Sequence, residues 1–144
     1  MKKSFLSLLL IVLLLMAGCD AAINLRGKVA SISSGKFLYQ DGNLISDYKA
    51  DIDAVWAACE KSVSELKATD IQKERKISAG IIKAVIQDEK VTIKVEYVER
   101  NLTSVSVFVG TVGNNMASRL IHEKIIDHLA EKSASLKEKQ EENR

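Results

Sequence analysis

The first hydrophobic residues after position 50 have the spacing of an amphipathic helix. Between positions 52 and 66 they occur at i, i+3, i+4, i+7, i+11 and i+14, at Ile52, Val55, Trp56, Cys59, Val63 and Leu66. This spacing places them along one face of a helix, with polar residues on the other. Asp51 directly precedes the first of them and can cap the helix N-terminus, so the pattern predicts a helix from 51 to about 67.

Four strand-like segments follow this helix. Residues 91–98 and 104–109 alternate apolar and polar side chains, which predicts strands with one face toward a core. Residues 81–87 are apolar on both faces and are predicted to be central, whereas residues 69–75 are polar and are predicted to form an edge.

Turn residues separate these segments. Gly80, Asp88-Glu89-Lys90 and Glu99-Arg100-Asn101 are predicted to form the turns between the four strands. Before the first helix, Asp41-Gly42 lies between two short apolar segments and predicts a hairpin with a type I′ turn, because glycine tolerates positive φ.

A second helix is predicted after the last strand. Asn114 or Asn115 caps it, and its apolar positions are Met116, Leu120, Ile121, Ile125 and Leu129. Beyond residue 130 the chain is charged, with no apolar stripe past Leu136, and is either frayed helix or disordered. The order ββ-α-ββββ-α predicts an α+β fold, a mostly antiparallel sheet with two helices packed on one face.

The first eighteen residues have the layout of a secretory signal. A basic start, Met1-Lys2-Lys3-Ser4, is followed by an apolar run from Phe5 to Ala17 and then by small residues. As a helix this run is ~20 Å long, which is short for a hydrocarbon core of ~30 Å. We therefore predict a signal peptide over residues 1–18, with a retained transmembrane anchor as the alternative.

The end of this leader resembles a lipobox, the site cut by lipoprotein signal peptidase. The motif is Leu15-Met16-Ala17-Gly18-Cys19, with Met16 where leucine is commonest. The resemblance implies cleavage before Cys19, diacylglycerol on its thiol and acylation of its new amino group. Two or three acyl chains make a tether effectively permanent. The alternative is a chance cysteine behind an ordinary signal peptide.

These features divide the chain into four parts. We predict a signal peptide over 1–18, a lipidated cysteine with its tether over 19–35, a folded domain over 36–130 and a charged tail over 131–144. The protein is then exported and lipid-anchored, facing the periplasm. Asp20 resembles the residue that retains enterobacterial lipoproteins in the inner membrane, so the inner membrane is favoured over the outer.

Charge and composition argue against nucleic-acid binding. Without Lys2 and Lys3, which precede the cut, 19 basic side chains are balanced by 19 acidic ones. A nucleic-acid-binding protein normally carries a basic excess on one face, and none is visible here. Aromatic residues make up only 5% of the chain, too few for a base-stacking platform.

Few residues could carry catalysis. Cys59 lies on the apolar face of the first helix, where a free cysteine packs as a small hydrophobic residue. His122 and His128 are six positions apart on a helix and point about 120° away from each other, so they cannot share a metal ion; both are predicted to be partly exposed. A Cys59–His122 nucleophilic pair would lack an orienting third group. No catalytic residue, metal site or cofactor is predicted.

One loop could hold a ligand. Gly110, Thr111, Gly113 and Asn114 precede the N-terminus of a helix, whose free N–H groups can bind an anion. The loop lacks the lysine and the fuller glycine pattern of a phosphate loop. A simple turn is therefore the favoured interpretation.

Several short motifs in this order resemble a known family. They are Tyr39-x-x-Gly42-x-Leu44, Tyr48-x-Ala50, Val55-Trp56-x-Ala58, and Val109-Gly110-Thr111-x-Gly113 leading to Ser118 and Ile121. The chain resembles small bacterial lipoproteins classified only as a domain of unknown function, over residues 36–129. It departs at Asn114, where aspartate is more usual. The resemblance implies a lipid-anchored envelope domain and no particular activity, substrate or cofactor.

These observations favour a non-catalytic module that binds a partner protein of the cell envelope or supports an envelope assembly. A periplasmic small-ligand-binding domain, using a cleft between helices and sheet, is the alternative. An enzyme is the least favoured class, because a convergent catalytic set is missing from the sequence.

Overall fold

The computed structural model describes residues 33–143, which form six strands and two helices. In chain order they are β1 (Ser33–Gln40), β2 (Asn43–Tyr48), α1 (Ile52–Glu65), β3 (Thr69–Arg75), β4 (Ala79–Ile86), β5 (Glu89–Glu99), β6 (Leu102–Val109) and α2 (Asn115–Glu142). The predicted order of elements is confirmed.

The strands form one open sheet in the order β1-β2-β6-β5-β4-β3, and every neighbouring pair is antiparallel. Both helices pack against the same face and against each other. The predicted α+β class is therefore confirmed. The sheet leaves its second face without a helix among the described residues.

The core lies between the sheet and the helices. It is built from alternate residues of β5 and β6, including Ile93, Val95, Val105 and Val107, which are fully buried. This confirms the alternation expected for both strands. Tyr97 continues the inward pattern of β5 in sequence but is 50% exposed; it lies near the end of the strand, next to an irregularity in the pairing with β6.

The polar strand β3 is an edge strand, as predicted. Its side chains on the helix side reach α1: Lys73 Nζ lies 2.9 Å from Glu60 Oε1, and Arg75 Nη2 lies 2.8 Å from Asp53 Oδ1. Charged side chains on an edge hinder pairing with another chain. Strand β4 is interior, between β3 and β5.

Gly80 was predicted to mark a turn, and this prediction is wrong. Gly80 lies within β4 and is buried. The ring of Trp56 from α1 lies over it, in the space that a Cβ atom would occupy. The glycine therefore serves close packing of a helix on a strand, a use that its position in the sequence does not reveal.

The predicted turn and caps are confirmed. Asp41 and Gly42 have φ values of 50° and 79°, as a type I′ hairpin requires. Asp51 caps α1 by accepting a 2.8 Å hydrogen bond from the Ala54 N–H. Asn114, not Asn115, caps α2 and accepts a 3.1 Å hydrogen bond from the Ala117 N–H.

Two boundaries differ from the expected ones. Strand β1 begins at Ser33, three residues before the predicted start of the domain at 36, because Ser33 pairs with Tyr48 of β2. At the other end, α2 continues through the charged segment to Glu142. Of the two alternatives for that segment, helix is the one found, with its residues from Glu131 onward exposed.

Within residues 33–143, neither helix combines the length and the apolar composition needed to cross a membrane.

Candidate functional site

The residues of the predicted lipidation site lie outside the described part of the chain. These are Leu15, Met16, Ala17, Gly18, Cys19 and Asp20. Peptidase recognition, lipidation and sorting at these positions therefore stay predictions.

The described part contains one polar cluster deep in the core, centred on His122 of α2. The Tyr48 hydroxyl lies 2.6 Å from His122 Nδ1, and His122 Nε2 lies 2.8 Å from the Leu44 carbonyl oxygen. A carbonyl can only accept, so Nε2–H donates to Leu44, and the neutral Nδ1 accepts from the Tyr48 hydroxyl. Both ring nitrogens are satisfied by β2.

Burial sets the ionisation of this cluster. Both Tyr48 and His122 are fully buried. Desolvation lowers the pKa of His122 to about 4, although the hydrogen bond to Leu44 acts in the opposite direction. Burial also raises the pKa of the Tyr48 hydroxyl well above its usual value. At neutral pH the pair is therefore uncharged.

The prediction that both histidines are partly exposed is wrong. His122 is fully buried and His128 is nearly so. A signal for His122 was present in the sequence: it lies four residues after Ser118 and three before Ile125, on the buried face of α2. Because histidine is a polar residue type, its position on the apolar face was not taken as a sign of burial.

His128 belongs to the contact between the two helices. Its Nε2 atom lies 2.8 Å from Glu65 Oε2, and its Nδ1 atom lies 3.4 Å from Glu131 Oε2. Lys124 also reaches Glu65, at 2.5 Å, and lowers the pKa of that carboxyl. Among the described residues, no group of three or more His, Cys, Asp or Glu side chains is placed to hold a metal ion.

Cys59 is buried in the core, as predicted. Burial raises the pKa of its thiol far above the usual value, which suppresses the nucleophilic thiolate. A Cys59–His122 nucleophilic pair would need a free histidine nitrogen, and both are already hydrogen-bonded to β2. The geometry therefore gives such a pair no support.

The glycine loop before α2 packs against the first hairpin. A Cβ atom on Gly113 would collide with the backbone of Gly42, and Gly113 has a φ of 90°. Beside Gly110, the Glu89 carboxylate lies 3.0 Å from the position of a Cβ atom. A carboxylate at this point disfavours an anion, so the turn interpretation of Gly110, Thr111, Gly113 and Asn114 is the better supported one.

A cleft lies beside this loop, where the sheet ends. It has a volume of about 170 Å³ between the end of α1, the start of α2 and strands β4 to β6. Its apolar walls include Leu66, Ile86, Val91, Val109 and Ile121, and its polar residues are Gln87, Glu89 and Asn114. The sequence did not reveal this cleft, because its walls come from five separate elements.

The fold and these sites define a small α+β domain with an uncharged polar pair in its core. The chain belongs to the family described as "Protein of unknown function (DUF3568)", whose match extends over residues 2–128. This confirms membership of a domain family of unknown function. No curated protein matches the chain.

Proposed function

We propose that this chain is an exported bacterial lipoprotein, cut before Cys19 and held at a membrane by lipid on that cysteine. Its domain faces the periplasm and acts as a non-catalytic module that binds a partner protein or supports an envelope assembly. The observation that supports this localisation is the sequence Leu15-Met16-Ala17-Gly18-Cys19 at the end of the apolar leader. The family match, which begins at residue 2, supports treating leader and domain as one unit.

The chemistry of the leader supports a permanent tether. Ala17 and Gly18 are small enough for the backbone to enter a peptidase cleft, and Cys19 supplies the thiol that takes up the lipid. Each buried methylene contributes about 0.8 kcal/mol, so several acyl chains hold the protein at the membrane. Asp20 favours retention in the inner membrane.

We expect Cys19→Ser to abolish lipid attachment and cleavage before residue 19. The serine hydroxyl cannot take up the diacylglycerol, so the protein loses its lipid and its processing at that site. Intact mass of the membrane-extracted protein should show loss of residues 1–18 and a lipid increment in the wild type only. Fractionation should move the serine variant out of the washed membranes, or leave it there with its leader intact.

The second cysteine provides a matched control for this experiment. Cys59→Ala removes a buried thiol of the domain and should leave lipid mass and membrane retention unchanged. A wild-type protein without added lipid, or equal retention of lipid-free processed Cys19→Ser, would contradict the anchor.

A non-catalytic role is supported by how the reactive residue types are used. The Cys59 thiol is buried with a raised pKa. His122 donates to Leu44 and accepts from Tyr48. Catalysis needs a nucleophile and a base that meet at an accessible cleft, and these two groups are enclosed by the core instead.

A binding role is supported by the exposed surface. The sheet face opposite the helices carries partly exposed side chains such as Ile45, Ile81 and Phe108 next to Ser106 and Lys94. Mixed apolar and polar surfaces of this kind occur in non-obligate protein interfaces.

We expect crosslinking of intact membranes, followed by purification of this protein, to recover one defined envelope protein. Recovery should fall with Cys19→Ser in the fraction that has left the membrane, because the tether raises the local concentration of the domain at the membrane. Cys59→Ala should leave recovery unchanged. Recovery of lipoprotein-processing enzymes alone would contradict an interaction module.

A small-ligand-binding domain is the second candidate, and the cleft near α2 is the observation that favours it. Its volume of about 170 Å³ is below the ~300–1,000 Å³ typical of sites that enclose a drug-sized ligand. The space between helices and sheet is occupied by buried apolar side chains. The cleft therefore suits a single side chain better than a free metabolite.

A further inference from the structure

Large apolar side chains are exposed where α2 begins. Met116 is 85% exposed, Leu120 is 50% exposed, and Val112 in the preceding loop is 83% exposed. The sequence predicted Met116 and Leu120 on the apolar face of the helix together with Ile121, Ile125 and Leu129. The last three are buried, as expected, but Met116 and Leu120 are not. The first turns of α2 thus present an apolar surface to solvent.

This surface is continuous with the cleft at the end of the sheet. Leu120 and Ala117 border both that cleft and a shallower groove along the outer side of α2, which also includes Met116 and Arg119. We call the cleft, the groove and Val112 the α2 pole. Methionine and leucine around a concave apolar site form a surface that adapts to an inserted side chain.

The α2 pole also includes a carboxylate that has no ion pair among the described residues. Glu89 lines the cleft, and Asp88 precedes it in the β4–β5 turn. Neither carboxylate has an ion pair within residues 33–143, whereas Glu123 at the edge of the groove is paired with Arg119 at 3.5 Å. A cationic group placed beside the cleft would therefore find a carboxylate available to it.

The α2 pole and the first described residue lie at opposite ends of the sheet. Strand β1 begins at Ser33, which pairs with Tyr48, and Tyr48 pairs with Thr103. This row of residues lies at the end of the sheet opposite to Val109 and the cleft. Ser33 therefore lies at the far end of the sheet from the α2 pole.

We propose that the α2 pole docks a segment of a partner protein that inserts one aliphatic or aromatic side chain into the cleft and places a neighbouring lysine or arginine against Glu89. The cleft volume corresponds to about one large side chain, as in the central anchor of a protein interface. This inference rests on the proposed binding function and names its contact site and the chemistry of the partner segment.

The test uses the full-length protein in its own membrane, with a photo-crosslinking amino acid at Met116. The same amino acid at Leu136 is the control, because Leu136 lies on the same helix and is 54% exposed, close to the exposure of Leu120. We expect a discrete adduct from position 116 and none from position 136. Mass spectrometry of the adduct should map the crosslink to a segment with an apolar residue next to lysine or arginine.

Variants then test the two parts of the contact. Leu120→Ser should reduce the adduct about tenfold, because it removes the apolar rim of the cleft. Glu89→Gln should reduce it a few-fold, in a salt-dependent way, because it removes the charge. Leu136→Ser, the matched surface change, should leave the adduct unchanged. Circular dichroism confirms that each variant is folded.

Several results would overturn the proposal: no adduct from 116, equal adducts from 116 and 136, an adduct unaffected by Leu120→Ser, or a mapped segment without a basic residue. An adduct between two copies of this chain, or with phospholipid, would assign the pole to self-association or to the membrane surface. Failure of the anchor is detected separately by the lipid mass at Cys19. An anchored protein without an adduct refutes docking alone.

Discussion

Replacing His122 with alanine should lower the free energy of unfolding by about 3–5 kcal/mol. The change removes a fully buried ring and leaves a cavity between α2, β1 and β2, where Phe37 meets the imidazole edge-on with ring centroids 5.4 Å apart. It also removes the hydrogen bonds that His122 makes with the Tyr48 hydroxyl and the Leu44 carbonyl. Both the packing and the hydrogen bonds are lost in the protein interior. Rearrangement of the neighbouring side chains can therefore restore only part of the lost stability.

Denaturant unfolding followed by circular dichroism measures this effect. Glu123→Ala on the next position of α2 is the matched control, because Glu123 is exposed and its ion pair with Arg119 is long, at 3.5 Å. We expect that control to change stability by no more than ~0.5 kcal/mol. A loss of less than ~1 kcal/mol for His122→Ala would contradict the buried, doubly bonded histidine.

Stability should also fall on acidification from about pH 6.5 to about pH 4, by roughly 3 kcal/mol at the acidic limit. The folded protein holds the pKa of His122 at about 4, because burial disfavours the imidazolium, whereas the unfolded chain protonates at the ordinary value of 6.5. Between these two pH values the unfolded state binds more protons than the folded state. The contribution of neutral His122 to the free energy of unfolding is therefore fully present above pH 6.5 and declines as the pH falls. Chemical denaturation at closely spaced pH values gives the slope.

Other titratable groups near the helices must be distinguished from His122 as the cause of this pH dependence. Tyr48 and Cys59 have raised pKa values and stay neutral throughout the window. Glu65 and Glu131 have lowered pKa values, so their contribution is lost chiefly at the acidic end. His128→Gln provides a background without the second histidine. In that background His122→Gln should flatten the slope between pH 6.5 and 5; an unchanged slope would refute the assignment to His122.

The element order could be predicted from sequence because it depends on local periodicity. The alternation of β5 and β6, the helical spacing of α1 and the Asp41-Gly42 turn each reflect the geometry of a short stretch of backbone. Caps followed from residue type, since Asp51 and Asn114 can accept from exposed N–H groups. Such features need no knowledge of distant contacts.

The candidate sites were less predictable, because each is made by elements far apart in the chain. His122 was expected at the surface from its residue type, but its hydrogen bonds come from β2, more than seventy residues earlier. Gly80 was predicted in a turn from its residue type, but its role is to make room for the ring of Trp56 from α1. Met116 and Leu120 share a helix with buried residues, and only the packing of α2 in the fold decides which of its apolar side chains are covered.

The sequence by itself predicted the lipidation at Cys19, which stays a prediction. It also predicted the succession of strands and helices, which the structure confirms. Both depend on neighbours within a few positions, where spacing and residue type are sufficient. Tertiary structure alone decided that His122 is a neutral core residue and that the start of α2 forms an apolar, acidic-rimmed pole. Burial and desolvation arise from contacts between the helices and the sheet, and no local pattern encodes which side chains those contacts enclose.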